Sequence, residues 1–301
     1  MVMHNLYANF AKTLELCKHF SQDLVNFRHV EFIFLLLLLR KLLLFPFYIF
    51  KAMNRREMIK TAGAAALGAT ILGIPMAADA ASSDNNKRRR KILVIGAHPD
   101  DPETGCGGTM CLLADAGHEV VCVYLTRGEA GIAGKSHDEA AAIRVIESQN
   151  ACQVTGARHI FMSQIDGNTE VNLERYKEMR ELIDRENPDV VLTHWPIDAH
   201  RDHAVCGTLV LDAWRRLDRR FQLYYFEVMT GEQTQMFHPT HWVNIEAALE
   251  RKHEACNCHV SQGMQALYDG WHTTMEHFRG IESRCLAAEA FALHSDSMAS
   301  L

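Results

Sequence analysis

Residues 98–103 read His-Pro-Asp-Asp-Pro-Glu, one imidazole and three carboxylates in six positions. His98 and Asp101 are three apart, and a tight turn can aim both side chains at one point. Asp100 can reach that point without joining the pair. An imidazole with a carboxylate suits zinc or a similar divalent ion. Asp is also a good helix cap, so Pro99-Asp100-Asp101 could do no more than start a helix. A second cluster tips the balance toward metal. The run His194-Trp-Pro-Ile-Asp198-Ala-His200-Arg-Asp202-His203 ends with two imidazoles and a carboxylate within four residues. That is enough for a third ligand and for groups that orient the ligands.

Both clusters sit where the chain turns. Apolar runs stop at Gly96 and at Thr193, and helical patterns follow each turn. Strands are expected at Ile92–Ala97, Glu119–Thr126, Ile160–Ser163, Val190–Trp195 and Leu223–Val228. Helices are expected between them, at Thr104–Ala116, Glu139–Val154, Asn172–Glu186 and His203–Arg219. Alternation at this spacing predicts an α/β fold, a doubly wound, mostly parallel sheet with helices on both faces in a single domain. The carboxyl ends of the first and fourth strands can then flank one crevice. After Val228 the pattern weakens. His241–Ile245 suggests a late strand, Glu246–His259 a helix, and Ser283–His294 a helix or a strand packing back.

Other features bear on function mostly by exclusion. Gly105-x-Gly107-Gly108 is neither a dinucleotide fingerprint nor a P-loop, and the acidic turn before it would repel a pyrophosphate. Nucleotide is therefore not expected. A net charge of −6 with no long basic stripe argues against nucleic acid, and Lys87–Arg90 reads as a solvated linker. No Gly-x-Ser-x-Gly elbow is present. The nine cysteines form no tight framework, Cys256-x-Cys258 is weak as a zinc motif, and Cys106 reads as a packed residue of the first helix. Thr126-Arg127-Gly128-Glu129-Ala130-Gly131 reads as a flexible rim loop. Spacing alone makes Arg144 and Glu147 a surface ion pair one helical turn apart.

The first ninety residues stand outside this pattern. Arg55-Arg56, an Ala/Gly-rich apolar stretch and Ala78-Asp79-Ala80 resemble a twin-arginine signal peptide over 53–80, which predicts export to the periplasm or beyond. Residues 81–90 read as a linker and 91–301 as the folded domain. Residues 1–52 read as an upstream extension not made in the cell, with a hydrophobic membrane anchor at 32–50 as the alternative. Arg40 and Lys41 count against the anchor, at roughly 2.5–3.5 kcal/mol each in a bilayer centre.

Ala97-His-Pro-Asp-Asp-Pro-Glu103 with Gly-Cys-Gly-Gly-Thr behind it, and His200-Arg-Asp-His203 about a hundred residues on, resembles the LmbE/PIG-L family of metal-dependent de-N-acetylases. Thr126–Gly131, Arg144-x-x-Glu147, His259-x-Ser-Gln262 and Ala288-Glu-Ala-Phe291 extend the likeness to about 91–295. The resemblance implies a Rossmann-like sheet and a catalytic zinc, with iron(II) or another divalent ion as the alternative. It implies His98, Asp101 and His203 as ligands and Asp100 as general base. His200 would stabilise an oxyanion or act as acid, with Asp202 orienting an imidazole. Arg144, which spacing alone left at the surface, would contact substrate, and Arg127 on the rim is assigned with it. Glu103 becomes an outer carboxylate. The implied substrate is an N-acetylated sugar or glycoconjugate of the N-acetylglucosamine type. A related amidase for larger acyl groups, or a metal-bearing sugar-binding protein without turnover, are the competing readings.

Overall fold

The computed structural model describes residues 88–295 and, apart from them, a two-residue ladder of Thr70–Ile71 on Ile74–Pro75. The upstream extension, the alternative anchor at 32–50 and nearly all of the leader lie outside the described residues. Among the described residues, no helix is long and apolar enough to cross a membrane.

The sheet is built on the run Ile92-Leu-Val-Ile, buried on both faces. A strand that is apolar on both sides needs helices on both sides. Strand β1 (Lys91–Gly96) lies between β2 (Glu119–Tyr124) and β4 (Val190–His194), parallel to both. Outside them lie β3 (Arg158–Phe161) and β5 (Gln222–Phe226), also parallel. Ile92 and Val94 face one core with Met110, Phe226 and Phe291. Leu93 and Ile95 face the other with Met179, Leu209 and Trp214. Helices α1 (Asp101–Asp115), α2 (His137–Thr155) and α5 (Leu249–Asn257) pack together, as do α3 (Leu173–Glu186) and α4 (Arg201–Arg216).

The ambiguous C-terminal segment is a strand. β7 (Ala288–Leu293) inserts antiparallel between β5 and β6 (His241–Asn244), giving the order β3-β2-β1-β4-β5-β7-β6. It carries Ala288, Ala290, Phe291 and Ala292 buried, a run too apolar on both faces to show the period of either element. Before it the chain runs through a short helix α6 (Met264–Leu267), a π turn (Tyr268–His272) and α7 (Thr273–Ser283). β3 begins two residues earlier than expected and α1 three residues earlier.

The glycines of α1 serve packing. A Cβ on Gly105 would stand 2.5 Å from Phe226 of β5, and one on Gly108 would stand 2.7 Å from Ile245. The helix that leaves the acidic turn is thus pressed against the sheet. Behind it, the buried Lys252 of α5 lies 3.0 Å from Glu276 and 2.8 Å from Glu289. Glu289 of β7 also accepts the backbone N–H groups of Gly108 and Thr109, at 2.9 and 2.8 Å. One lysine therefore ties α5, α7, β7 and α1 together.

Removing that charge leaves buried carboxylates unpaired. Lys252→Met should destabilise the protein by about 3–5 kcal/mol, read as a lower denaturant midpoint. Burial alone would raise the Glu276 carboxyl, but Lys252 and His253 hold it at about 2 against an ordinary 4.5. Its folded pKa is depressed, so its contribution is complete above pH 4.5 and fades as pH falls toward 2. Acid unfolding of the wild type should steepen in that window, and Lys252→Met should flatten it.

Candidate metal centre

Strand β1 ends at Gly96, where a Cβ would come within 2.6 Å of the Pro102 ring. The turn that follows is closed by Asp101, whose Oδ2 accepts the His98 N–H at 2.7 Å. Between them Asp100 adopts φ 120° and ψ −31°, a region that non-glycine residues rarely occupy. Asp100 stands at the helix cap position, yet its carboxylate makes no capping bond. It accepts from Arg144 Nη2 at 3.0 Å instead. A carboxylate held off the helix it precedes is not there to cap it.

Asp101 is the hub. Its Oδ2 lies 3.2 Å from His98 Nδ1 and 3.2 Å from His194 Nε2, and its Oδ1 lies 3.2 Å from His203 Nε2. The rings of His194 and His203 stack at 4.1 Å. The far nitrogens of His98 and His203 find carboxylates of their own. His98 Nε2 is 3.1 Å from both Asp166 and Asp202, and His203 Nδ1 is 3.3 Å from Asp198. Asp202 is fixed in turn by the Gly167 N–H at 2.8 Å and the Thr169 hydroxyl at 2.7 Å. A ligand imidazole backed by a carboxylate is the usual support of a metal site.

The charges are poised for a cation. Burial would raise the Asp101 carboxyl, yet His203 and His194 pull it well below the usual range. Burial would lower His98 and His203, but Asp101 and the outer carboxylates raise both, His203 to about 9. Two buried imidazoles thus hold protons to offset the acidic groups around them. Donor atoms of His98, His200 and His203 lie within 4.8 Å of one another, as do those of Asp101, His194 and His203. Neither group holds His98, Asp101 and His203 together, but both imidazoles lie 3.2 Å from Asp101, and a divalent ion there would replace the two protons with its own charge, so the chemistry of these donors fits.

The turn at 126–131 is a cradle, not a loose rim. A Cβ on Gly128 or Gly131 would fall 2.6 or 2.3 Å from the Arg144 guanidinium. Arg144 is 3% exposed and donates to the Pro99 carbonyl as well as to Asp100. It does not pair with Glu147, which accepts from the backbone and hydroxyl of Ser261, both at 2.7 Å. Arg127 does not join the site. Its Nε meets Glu129 at 3.0 Å, and it is absent from the lining of the cavity. Glu103 stands in the first turn of α1, outside the ring of groups around Asp101. It is wholly buried behind the centre, where the Tyr124 hydroxyl donates to it at 2.5 Å and His259 stands 3.6 Å away. A helical step from Asp101 to Glu103 turns the side chain into the core. Burial pushes the Cys106 thiol far up, as a packed residue requires.

A cavity of about 450 Å³ opens on His98, Asp100, Asp101, Arg144, His200 and His203. The Nδ1 of His200 accepts the Asp202 N–H at 3.3 Å, which leaves Nε2 to carry the proton. Burial, then His98 and His203, lower its pKa, so this imidazole is neutral. Asp166 escaped the reading from sequence, and His194 and Asp198, though inside the second cluster, were given no role. Each lies at or beyond the carboxyl end of a strand, the position that should have drawn notice. Burial and His203 lower His194 to about 4, and its Nε2 accepts the Ala97 N–H at 3.0 Å.

The family model for PIG-L, GlcNAc-PI de-N-acetylase, matches residues 93–214. A diacetylchitobiose deacetylase of Thermococcus kodakarensis is 30% identical over 197 residues, 60% of this chain and 73% of that protein. A probable N-acetyl-alpha-D-glucosaminyl L-malate deacetylase of Bacillus cereus is 26% identical over 214 residues, 67% of this chain and 96% of its own. The solved N,N'-diacetylchitobiose deacetylase of Pyrococcus horikoshii superposes with a TM-score of 0.62 at 24% identity, over 71% of this chain and 89% of that one. The sheet, its crossovers and the acidic turn define an LmbE-like α/β protein. The chain belongs to the PIG-L family.

Metal-free protein should take up a divalent ion with release of protons. Affinity should rise with pH up to about 9, where His203 loses its proton unaided. Asp166→Ala and Asp198→Ala should each weaken binding about 10- to 100-fold, and His98→Ala or Asp101→Ala by more. Competition against a chromophoric chelator between pH 6 and 9 measures all of these.

Proposed function

We propose that the protein is a zinc-dependent de-N-acetylase that hydrolyses the acetamide of an N-acetylglucosamine-type sugar or conjugate. The observation that carries this reading is the division of labour between adjacent aspartates. Asp101 faces the imidazoles while Asp100, one residue earlier, is held away from them by Arg144 in the same cavity. The named deacetylase relatives support the reaction class. A shared fold alone would not, since function lives in the site.

In this reading His98, Asp101 and His203 hold the ion, which supplies Lewis acidity toward the carbonyl and the attacking water. Two imidazoles and a carboxylate suit zinc and leave room for a further ligand. Asp100 takes the proton of the attacking water at its carboxylate. Burial raises the Asp100 carboxyl and Arg144 opposes that rise, so Arg144 keeps the base ionised. Its place between Pro99 and Asp100 makes it a positioning residue rather than a free substrate contact. His200 donates its Nε2–H to the developing oxyanion, a role a neutral imidazole can fill. Asp202 and Asp166 hold His98 in place. The proton gathered by Asp100 then passes to the leaving amine. The twin-arginine-like leader at 53–80 supports an exported enzyme meeting its glycan outside the cytoplasm.

Acetate release from N-acetylglucosamine conjugates should require zinc and stop with a chelator. Asp100→Asn should keep the metal and lose roughly 10²- to 10⁴-fold in kcat; wild-type turnover in that variant would refute the base assignment. Arg144→Ala removes the charge that keeps Asp100 ionised. The acidic limb of its kcat/KM profile should therefore move to higher pH.

A further inference from the structure

The loop after β5 faces the cavity on one side and the second metal-centre turn on the other. Met229 and Gln233 are on the cavity lining. The backbone beside them is stitched to the turn that leads into α4. The Ala199 N–H donates to the Gln233 carbonyl at 2.8 Å, and the Gln235 N–H donates to the Ile197 carbonyl at 3.0 Å. The Trp195 indole N–H donates to the Gln235 carbonyl at 3.1 Å. Asp198 and Thr234 thereby pair as a short antiparallel bridge. The root of the loop is fixed separately, by Arg279 of α7, which grips both oxygens of Glu227 at 2.6 and 2.7 Å.

Thr234 is buried, and its hydroxyl accepts the Val228 N–H at 2.9 Å. The same oxygen lies 2.8 Å from Asp198 Oδ2 and 2.8 Å from the Val228 carbonyl. A hydroxyl has one proton to give. The Val228 carbonyl already accepts the Thr234 N–H at 3.2 Å, and a carboxylate is the stronger acceptor. The proton therefore goes to Asp198. The other oxygen of that carboxylate accepts the His200 N–H at 2.8 Å and faces His203 Nδ1 at 3.3 Å. The Asp198 side chain is wholly sequestered from water, so an oxygen that lost its donor would gain no water in exchange. Thr234 thereby fixes the tilt of the carboxylate that stands behind His203.

We infer that Thr234 is a positioning residue that couples the cavity loop to the metal centre. It orients Asp198, Asp198 orients His203, and through that chain the loop at 228–236 and a bound ion stabilise each other. Such coupling is reciprocal. An ion held by His203 orders the loop, and an ordered loop tightens the hold on the ion. The inference rests on the metal ligands assigned above and not on the reaction they serve.

The test uses the full chain with zinc alone as the probe. Deuterium uptake by the amides of 229–236 should slow roughly fivefold when zinc saturates metal-free wild type. Thr234→Val should weaken zinc binding about tenfold and lose that slowing at saturating zinc, whereas Thr234→Ser should behave as the wild type. Asp198→Ala should bind zinc as weakly alone as it does combined with Thr234→Val, because Thr234 acts through Asp198. A Thr234→Val penalty that adds in full to that of Asp198→Ala overturns the inference, since the loss would then be a general one. Unchanged uptake in wild type on adding zinc also overturns it, and this arm depends on no variant folding. Wild type that binds no zinc sinks the metal centre and the coupling together. Acetate release enters none of these measurements, so failure of the de-N-acetylase reading would leave the coupling standing.

Discussion

Asp100, Asp101, Asp166, Asp198 and Asp202 crowd the carboxyl edge of the sheet, and among the described residues the permanent cation that touches them is Arg144. Like charges this close in a buried space repel strongly unless something of opposite sign is shared among them. The rest of the site answers that constraint. His98 and His203 are each held between carboxylates, and Arg144 is threaded through two glycine seats to reach Asp100 and the edge of Asp166. Every turn at this edge is closed by a bond to one of these acids. Gly167 and Thr169 bind Asp202, Ala130 binds Asp166, and the His200 N–H binds Asp198. The acidic groups thus organise the loops as well as the chemistry.

The sheet holds those turns in register. β1 and β4 are neighbours, so the turns at 97–101 and 194–203 meet directly. The Ala97 N–H bonds to His194, and Gly207 lets α4 approach the His194 carbonyl, where a Cβ would come within 2.6 Å. β1 and α1 are clamped from both sides, by α4 near the site and by the Lys252–Glu289 tie behind it. A metal centre built on loops gains rigidity when each loop is a few residues long and springs from a buried strand.

Much of this was legible in the chain. The apolar runs that stop at polar turns predicted the parallel strands, and the His/Asp spacing in two such turns pointed to the groups that the sheet brings together. Asp101, His98 and His203 converge as that spacing requires. What was not legible depended on long-range packing. Nothing local in Ser283–His294 says that it threads between two other strands. Nothing local in Thr126–Gly131 says that its glycines seat an arginine from the next helix. Arg127 was drawn to the site by proximity in sequence, and its side chain turns to Glu129 once the backbone is placed. Asp166 was passed over because it stands alone after its strand, whereas His194 and Asp198, inside the second cluster, received no role because spacing does not show which groups of a dense run face Asp101 and His203.

The backbone at Asp100 has a consequence for how this protein can change. A residue with a side chain at φ 120° spends stability, of order 1–3 kcal/mol, at the position where the proposed mechanism handles the proton. Glycine would relieve that strain and keep the turn. Folding and chemistry therefore pull in opposite directions at this one position. A library of variants ranked by heat resistance alone would drift toward glycine at 100 and discard the proposed base, whereas one ranked by turnover would keep the aspartate and recover the lost stability elsewhere in the fold.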